Sequence, residues 1–310
     1  MNRSILRGLC LIISIGASVH TMHAFSIKEM YQKILPQKLT SSVEQYDIDA
    51  RNLTTVMITN DFGSVSVKTW NQPKISVKEI RKAYLPSQAK QFKLNQKKSK
   101  TGVHLCAVNN DPESSGGLDV DLIIPQECSA VVTTNQGSIK TKSVNGAQTL
   151  TADKGSIEVH NATAPVVAQT KVKGGITVYK ALDTVQATAN TGDIALYDMH
   201  NSVQAYAKYG KIELYCKQVP TTSTIKLDTT TGTIYTYLPV GTNADVQAST
   251  KHGVVTCQHH LTIKPFATQL DRRAWNNFKR EVNATMGNGE AAIKLSSVNS
   301  NIQLLKQSIS

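Results

Sequence analysis

A glycine step that returns about every eighteen residues constrains this sequence more than any other feature. Seven copies of a Gly-x-Ile or Gly-x-Val step lie between residues 137 and 255, and their apolar residues are 18, 19, 18, 18, 22 and 21 positions apart. Self-similarity at a nearly fixed period is typical of repeat architectures, in which each unit stacks on its neighbours. The apolar residues of the seven steps are Ile139, Ile157, Ile176, Ile194, Ile212, Ile234 and Val255.

Each repeat is predicted to contain two short strands that meet at the glycine. After the glycine, apolar and polar residues alternate, as in Ile212-Glu213-Leu214, and before it smaller residues alternate in the same way, as in Val203, Ala205 and Ala207. Alternation with a period of two indicates one buried and one exposed face, and glycine permits the sharp turn. The sequence therefore predicts an all-β fold, a single-chain parallel β-solenoid or β-helix with coils of about 18 residues, over residues 126–262.

The segments on either side of the repeats complete the predicted organisation. Residues 25–50 form an N-terminal lead segment, and residues 51–125 form an N-terminal β region that holds a basic segment and supplies the first coils or a cap. Residues 263–310 are predicted to contain one short helix, over 268–284, and a final coil. An apolar stripe at helical spacing predicts this helix. The residues of the stripe are Leu270, Ala274, Phe278 and Val282.

The first 24 residues have the layout of a cleavable secretory signal peptide. Arg3 and Arg7 give a positive start, an apolar run follows over residues 9–19, and Ala24 ends the segment with a small residue. An uncleaved signal anchor is the alternative. No later stretch approaches the roughly 20 apolar residues of a membrane helix, so we expect a mature chain without a transmembrane segment, exported to the periplasm, the cell surface or the medium.

Positive charge is concentrated in one stretch. The formal net charge of the chain is +12, and residues 68–100 hold ten Lys or Arg residues against the single acid Glu79. Such a basic segment attracts polyanions by long-range electrostatics. For an exported protein we expect anionic glycan, lipopolysaccharide or an acidic membrane face as partners, and no nucleic acid. The alternative is a solvated basic face that keeps the protein soluble.

Acidic residues do not collect on neighbouring coils. Polysaccharide lyases and hydrolases need clustered carboxylates for calcium binding or for acid and base catalysis. Asp193 and Asp198 lie in one coil, yet the matching positions of the next coil are Lys211 and Cys216. The sequence therefore predicts no catalytic residues and no enzymatic activity.

A metal or cofactor site has equally little support. Cys257, His259 and His260 are neighbours in the sequence, but a structural zinc site normally has four ligands, and Cys257 aligns with inward residues of other coils. No glycine-rich phosphate loop leads from a strand into a helix, so we predict no cofactor and no metal. The four cysteines beyond residue 24 are too few for a disulfide framework and are expected to be single buried thiols.

One outward column of the predicted coils is aromatic. The residue three positions after the coil isoleucine is a tyrosine in four consecutive coils, and strand alternation directs it away from the core. Like side chains on neighbouring strands can stack for stability, or the rings can form an exposed strip that binds a glycan or a protein. The candidate partner-binding residues are Tyr179, Tyr197, Tyr215 and Tyr237, preceded at the same register by Lys142 and His160.

The repeat motifs resemble those of bacterial exported proteins known as putative adhesins. In that family a Gly-x-Val step precedes a tryptophan, as Gly63-Ser64-Val65 precedes Trp70 here, and Gly-x-Ile coils follow, as in Thr191-Gly192-Asp193-Ile194. Three further segments are similar: Asn135–Ile139, Gly287–Gly289 and Val298–Ile302, in which Ser300 replaces the usual glycine. The resemblance covers roughly residues 50–305. It implies an exported β-solenoid repeat protein, a domain of unknown function without catalytic residues.

Three functions are compatible with these features. The first is a non-enzymatic envelope or surface protein with a structural or adhesin-like role, whose partner is a glycan or another surface protein. The second is a glycan- or polyanion-binding module that uses the tyrosine column and the basic segment. The third is a carbohydrate-active enzyme, which the scattered acidic residues disfavour.

Overall fold

The computed structural model describes residues 40–264 and 280–307, which belong to one compact unit. About two thirds of these residues lie in β-strands, and the all-β prediction is confirmed. Within these ranges the α-helical residues are limited to α1 (Pro86–Ala89), and no helix has the length and hydropathy to cross a membrane. The predicted signal peptide and the start of the lead segment lie outside the described residues.

The strands form two long sheets. Sheet A contains, in spatial order, β1 (Thr40–Asp49), β4 (Lys74–Ala83), β7 (Gly116–Pro125), β3 (Val65–Trp70), β9 (Ile139–Lys142), β11 (Ile157–Ala162), β13 (Ile176–Ala181), β15 (Ile194–Met199), β17 (Ile212–Cys216), β19 (Ile234–Leu238), β25 (Ile302–Lys306) and β21 (Val255–Cys257). Sheet B contains, in spatial order, β22 (Thr262–Ile263), β23 (Glu281–Met286), β20 (Ala244–Thr250), β24 (Ala291–Ser297), β18 (Thr224–Thr231), β16 (Val203–Tyr209), β14 (Val185–Thr191), β12 (Val166–Lys173), β10 (Gln148–Lys154), β8 (Ser129–Gln136), β2 (Thr55–Asn60), β6 (Gly102–Asn109) and β5 (Phe92–Lys98).

Each repeat contributes one strand to each sheet, and equivalent positions of successive repeats pair in parallel. In sheet A, Ile194 pairs with Ile176 on one side and with Ile212 on the other. In sheet B, Val203 pairs with Val185 in the same manner. The predicted isoleucine column is confirmed, because its members are paired in register and at most 1% exposed. They are Ile139, Ile157, Ile176, Ile194, Ile212 and Ile234.

The core consists of the inward residues of both sheets. In the central repeats, sheet A contributes large aliphatic side chains such as Ile194, whereas strands β14 and β16 of sheet B contribute smaller ones such as Ala187 and Ala205. Burial of one large aliphatic side chain stabilises a fold by about 1.5–3 kcal/mol. The repeated alternation therefore explains both the pairing register and the stability of the stack, since a slip of one residue would expose every inward side chain.

The coils do not all stack in sequence order. Strands β24 and β25 lie between the strands of residues 224–238 and those of residues 244–257. Ile302 is therefore the neighbour of both Ile234 and Val255, which do not pair with each other. The predicted final coil exists, but it is not last in the stack. The sequence order is also broken at the other end of the stack. In sheet B, β2 lies between β8 and β6. In sheet A, β3 lies between β9 and β7.

The predicted C-terminal helix is wrong at its C-terminal end. Residues 281–286 form strand β23, antiparallel to β20, and Val282 pairs with Ala248. Strand β20 would otherwise leave one row of backbone groups unpaired in sheet B, and an antiparallel neighbour satisfies them. Residues 265–279, which include Leu270, Ala274 and Phe278, lie outside the described residues.

Candidate functional site

Sheet A carries the predicted tyrosine column on its outward face. Tyr179 pairs in register with Tyr197, and the preceding residue Leu196 is buried. The residue that follows the column is in the left-handed region in several coils, with φ of 62° at Lys180 and 59° at Asp198. This local bulge returns the next residue to the core, so Met199 is buried while Tyr197 faces outward.

The rings of this column stack face to face. Successive centroids are 4.7 Å apart for His160 and Tyr179, then 5.3, 5.0 and 4.1 Å for the following pairs, with interplanar angles between 5° and 27°. We call this set the aromatic ladder. Its members are His160, Tyr179, Tyr197, Tyr215 and Tyr237. Because each ring covers the face of its neighbour, the ladder offers a partner ring edges and hydroxyl groups rather than open faces.

Two tyrosines of the ladder, Tyr197 and Tyr215, have a raised pKa. Burial raises the pKa of Tyr197, and the negative charge of Glu213 adds to this effect. The pKa of Tyr215 is also raised, first by burial and then by a hydrogen bond with Tyr237. These phenols therefore remain protonated at neutral pH, and each hydroxyl can donate as well as accept a hydrogen bond.

An ion-paired cluster lies at the histidine end of the ladder. The Glu158 carboxylate contacts the His160 ring and accepts a hydrogen bond from Lys140 Nζ at 3.0 Å. These hydrogen bonds lower the pKa of Glu158.

Tyr179, next along the ladder, is the most exposed of the four tyrosines at 41%, whereas the other three are half-buried.

The predicted basic segment is largely neutralised on strand β4. Lys74 Nζ lies 2.6 Å from Asp47, and Arg81 contacts Glu44 at 2.8 Å. Further pairs join Lys78 with Asp121, Lys82 with Asp119 and Arg81 with Glu79. Apart from Glu79, which lies on β4 itself, the acids come from β1 and β7. These strands lie outside the basic segment, so charge counting within it missed them. On strand β5, by contrast, exposed lysines such as Lys93 and Lys97 have no acidic partner within 4 Å among the described residues.

The acidic and metal-like candidates of the sequence do not assemble into a site. Asp193 accepts a hydrogen bond from the backbone of Lys211, and Asp198 contacts His200 instead. His259 Nε2 lies 3.1 Å from the carbonyl oxygen of Leu305. In residues 40–264 and 280–307, no three His, Cys, Asp or Glu side chains are grouped to hold a metal ion.

The four cysteines in this part of the chain are free thiols. Cys128 and Cys216 are buried, as predicted, but Cys106 and Cys257 are only half-buried. Cys257 pairs with Leu304, so its inward alignment was right. It is less buried than expected because β21 is the outermost strand of sheet A at that end, among the described strands.

Sequence reasoning missed the outward face of sheet B. Tyr206 and Asp228 are direct neighbours there, in line with Thr188 and Ser296. The signal was available, because the alternation that directs Ala205 and Ala207 inward also directs Tyr206 outward. A single tyrosine among varied polar residues is a weaker pattern than four tyrosines at one register, so this face was overlooked.

No protein-family model matches the chain, and no curated protein matches it either. Several solved structures do. A putative adhesin from Bacteroides fragilis is 10% identical, with 86% of this chain and 97% of that chain covered and a TM-score of 0.49. A putative adhesin from Parabacteroides distasonis is 10% identical, with 87% and 98% covered and a TM-score of 0.37.

A third solved structure has a different description. It is a putative lipid binding protein from Parabacteroides distasonis, 10% identical, with 86% of this chain and 97% of that chain covered and a TM-score of 0.41. The chain is thus similar to bacterial proteins described as putative adhesins, the class that its repeat motifs resemble.

Proposed function

We propose that this chain is an exported, non-enzymatic protein of the bacterial envelope or cell surface with a structural or adhesin-like role. Its architecture, in this proposal, is a parallel β-solenoid with coils of about 18 residues behind a signal peptide of residues 1–24. Residues 126–262 form the main repeats, and the β region of residues 51–125 and the segment 263–310 flank them. The in-register pairing of equivalent positions supports the solenoid.

One observation carries the functional part of the proposal. The aromatic ladder runs without interruption across five neighbouring strands of sheet A, a distance of roughly 19 Å at about 4.8 Å per strand. A long, regular row of hydroxyls and ring edges suits contact with an extended partner, such as a glycan chain or another surface protein. Tyrosine combines a rigid apolar body with a polar tip and is enriched at binding surfaces for that reason.

A glycan- or polyanion-binding module is the second candidate. The tyrosines Tyr179, Tyr197, Tyr215 and Tyr237 would supply hydroxyl contacts, and a basic surface would attract the anionic groups. Ion pairs neutralise most of the positive charge on β4. The exposed lysines of β5 therefore supply the charge on which this alternative depends. A carbohydrate-active enzyme is the least supported candidate, because its acidic candidates do not share one site. Asp193 accepts a hydrogen bond from the backbone of Lys211, whereas Asp198 contacts His200.

The hydroxyl row can be tested without disturbing the stack. Replacing Tyr197 and Tyr215 by Phe keeps the ring contacts and removes two hydroxyls. We expect the double variant to lose about thirtyfold in affinity for an anionic glycan that the native chain selects on a glycan array, because each of the two lost hydrogen bonds is worth about 1 kcal/mol. Tyr209→Phe, on sheet B and 49% exposed, is the control and should bind normally.

Truncation to alanine gives a complementary readout. Tyr197→Ala with Tyr215→Ala removes three ring stacks, each worth about 0.5–1.5 kcal/mol. Unchanged binding by the Phe variant, together with a large loss of stability in the Ala variant, would show that the ladder is structural packing. Turnover of an acidic polysaccharide by the native chain would instead support the enzyme.

A further inference from the structure

The outward face of sheet B holds a polar groove that the proposed function does not use. Two depressions, of about 150 Å³ and about 380 Å³, adjoin each other and share Asp228. They extend over strands from β14 to β23, five strand spacings or roughly 24 Å. Such a length admits a short linear chain rather than a single small molecule.

Two parallel columns of hydrogen-bonding side chains line this groove. In-register pairing places an amide or ammonium group at one position of each of the five parallel strands β14, β16, β18, β24 and β20. It places a hydroxyl, a phenol or a carboxylate two residues further along. The first column is Gln186, Gln204, Lys226, Lys294 and Gln247, and the second is Thr188, Tyr206, Asp228, Ser296 and Ser249.

Asp228 lies at the centre with unused bonding capacity. Its side chain is 33% exposed, and the nearest cation, Lys226 Nζ, is 3.8 Å away. No donor among the described residues forms a hydrogen bond with this carboxylate, and burial raises its pKa despite the opposing charge of Lys226. Because this carboxylate is partly exposed, its oxygens can accept hydrogen bonds from hydroxyl groups of a ligand.

Tyr206 supplies an aromatic surface beside this carboxylate. It is the direct neighbour of Asp228 and is 42% exposed. Unlike the ladder rings on sheet A, it stacks on no other aromatic ring within the part of the chain described, so its face is available to a ligand.

From this juxtaposition we propose that the groove, centred on Tyr206 and Asp228, binds a neutral linear oligosaccharide. A sugar chain presents hydroxyl donors to Asp228, acceptors to the amides and ammonium groups, and an apolar ring face to Tyr206. The charges of the lining favour a neutral ligand, because Lys226 and Lys294 balance Asp228 and Glu281. A protein partner would need an apolar interface centre, which this polar lining does not provide.

Calorimetric titration of the full chain with neutral hexasaccharides tests the proposal. The probes are β-1,4-glucan, α-1,4-glucan, β-1,4-mannan and chitin oligomers, with hexagalacturonate as the acidic comparison. We expect at least one neutral probe to bind, and Tyr206→Ala and Asp228→Asn each to weaken it about tenfold. Tyr209→Ala, at the end of the same strand and outside the groove, should change affinity less than about twofold.

Three results would overturn the site. They are no binding of any neutral probe at millimolar concentration, equal losses for Tyr206→Ala and Tyr209→Ala, and tighter binding of hexagalacturonate than of every neutral probe. The thermal unfolding midpoint of each variant shows whether the protein is still folded, so that a loss of binding can be assigned to the site. The Tyr197→Phe and Tyr215→Phe double variant should bind the neutral probe normally; a loss there would assign the binding to the ladder of sheet A and contradict the groove.

Discussion

The column of glycines shows how closely the backbones of neighbouring coils approach each other. At Gly174 the φ angle is +152°, and a Cβ atom built there would lie 1.9 Å from the carbonyl oxygen of Gly155. The neighbouring Gly175 is different, because its Cβ would meet only the carbonyl oxygen of Asp193, at 3.2 Å. The repeat therefore needs glycine at one position for two reasons, the turn conformation and the contact between coils.

This pair of glycines gives a matched test. Gly174→Ala should lower the free energy of unfolding by at least about 1–3 kcal/mol from backbone strain alone, with a further loss from the overlap with Gly155. Gly175→Ala should cost less than about 1 kcal/mol. Urea denaturation measures both. Equal effects of the two substitutions would mean that the coils are not stacked at this distance.

Single residues are predictable where the repeat fixes their direction. Alternation along the strand is sufficient to direct Ile194 into the core and Tyr197 away from it, and both side chains lie as the pattern predicts. The extra residue of the repeat that contains Gly174 is harder to place. The register shift that accommodates this residue lies in β12, between Thr170 and Lys173. Period and spacing show that a residue is inserted, whereas local backbone geometry decides where it is accommodated.

At the level of elements, the C-terminal strands occupy a gap that the earlier chain leaves open. Strands β18 and β20 do not pair with each other, because β24 lies between them and pairs with both. The sequence could not predict this order, since every coil has the same alternation and fits any neighbour. Charge neutralisation in the basic segment was hidden for a related reason, because pairing with β1 and β7 depends on tertiary order.

Removal of this inserted coil tests the order. Deletion of residues 287–310 should expose the facing edges of β18 and β20, and unpaired edges associate with other chains. We expect soluble oligomers or aggregates by size-exclusion chromatography with light scattering, and a lower unfolding midpoint. A chain that ends at Gln307 keeps both strands and serves as the control. A monomeric deletion variant with native stability would contradict the inserted position.

At the level of the whole described unit, the two sheets present different outward chemistry. Sheet A offers the aromatic ladder, in which the ring faces are occupied by neighbouring rings and the hydroxyls of Tyr215 and Tyr237 share a hydrogen bond. Sheet B offers a polar groove with the exposed ring of Tyr206 beside the partly exposed carboxylate of Asp228. The all-β class and the ladder register were predictable from the sequence, whereas the groove depends on which coils become neighbours.

Both surfaces have a role in adhesion only if the chain reaches the outside of the cell. Labelling of intact cells with a membrane-impermeant amine reagent measures this directly, because lysines such as Lys93 and Lys97 are exposed. We expect the natural chain to be labelled on intact cells, while a periplasmic and a cytoplasmic protein in the same cells stay unlabelled. Labelling that appears only after the cells are broken would contradict a surface role.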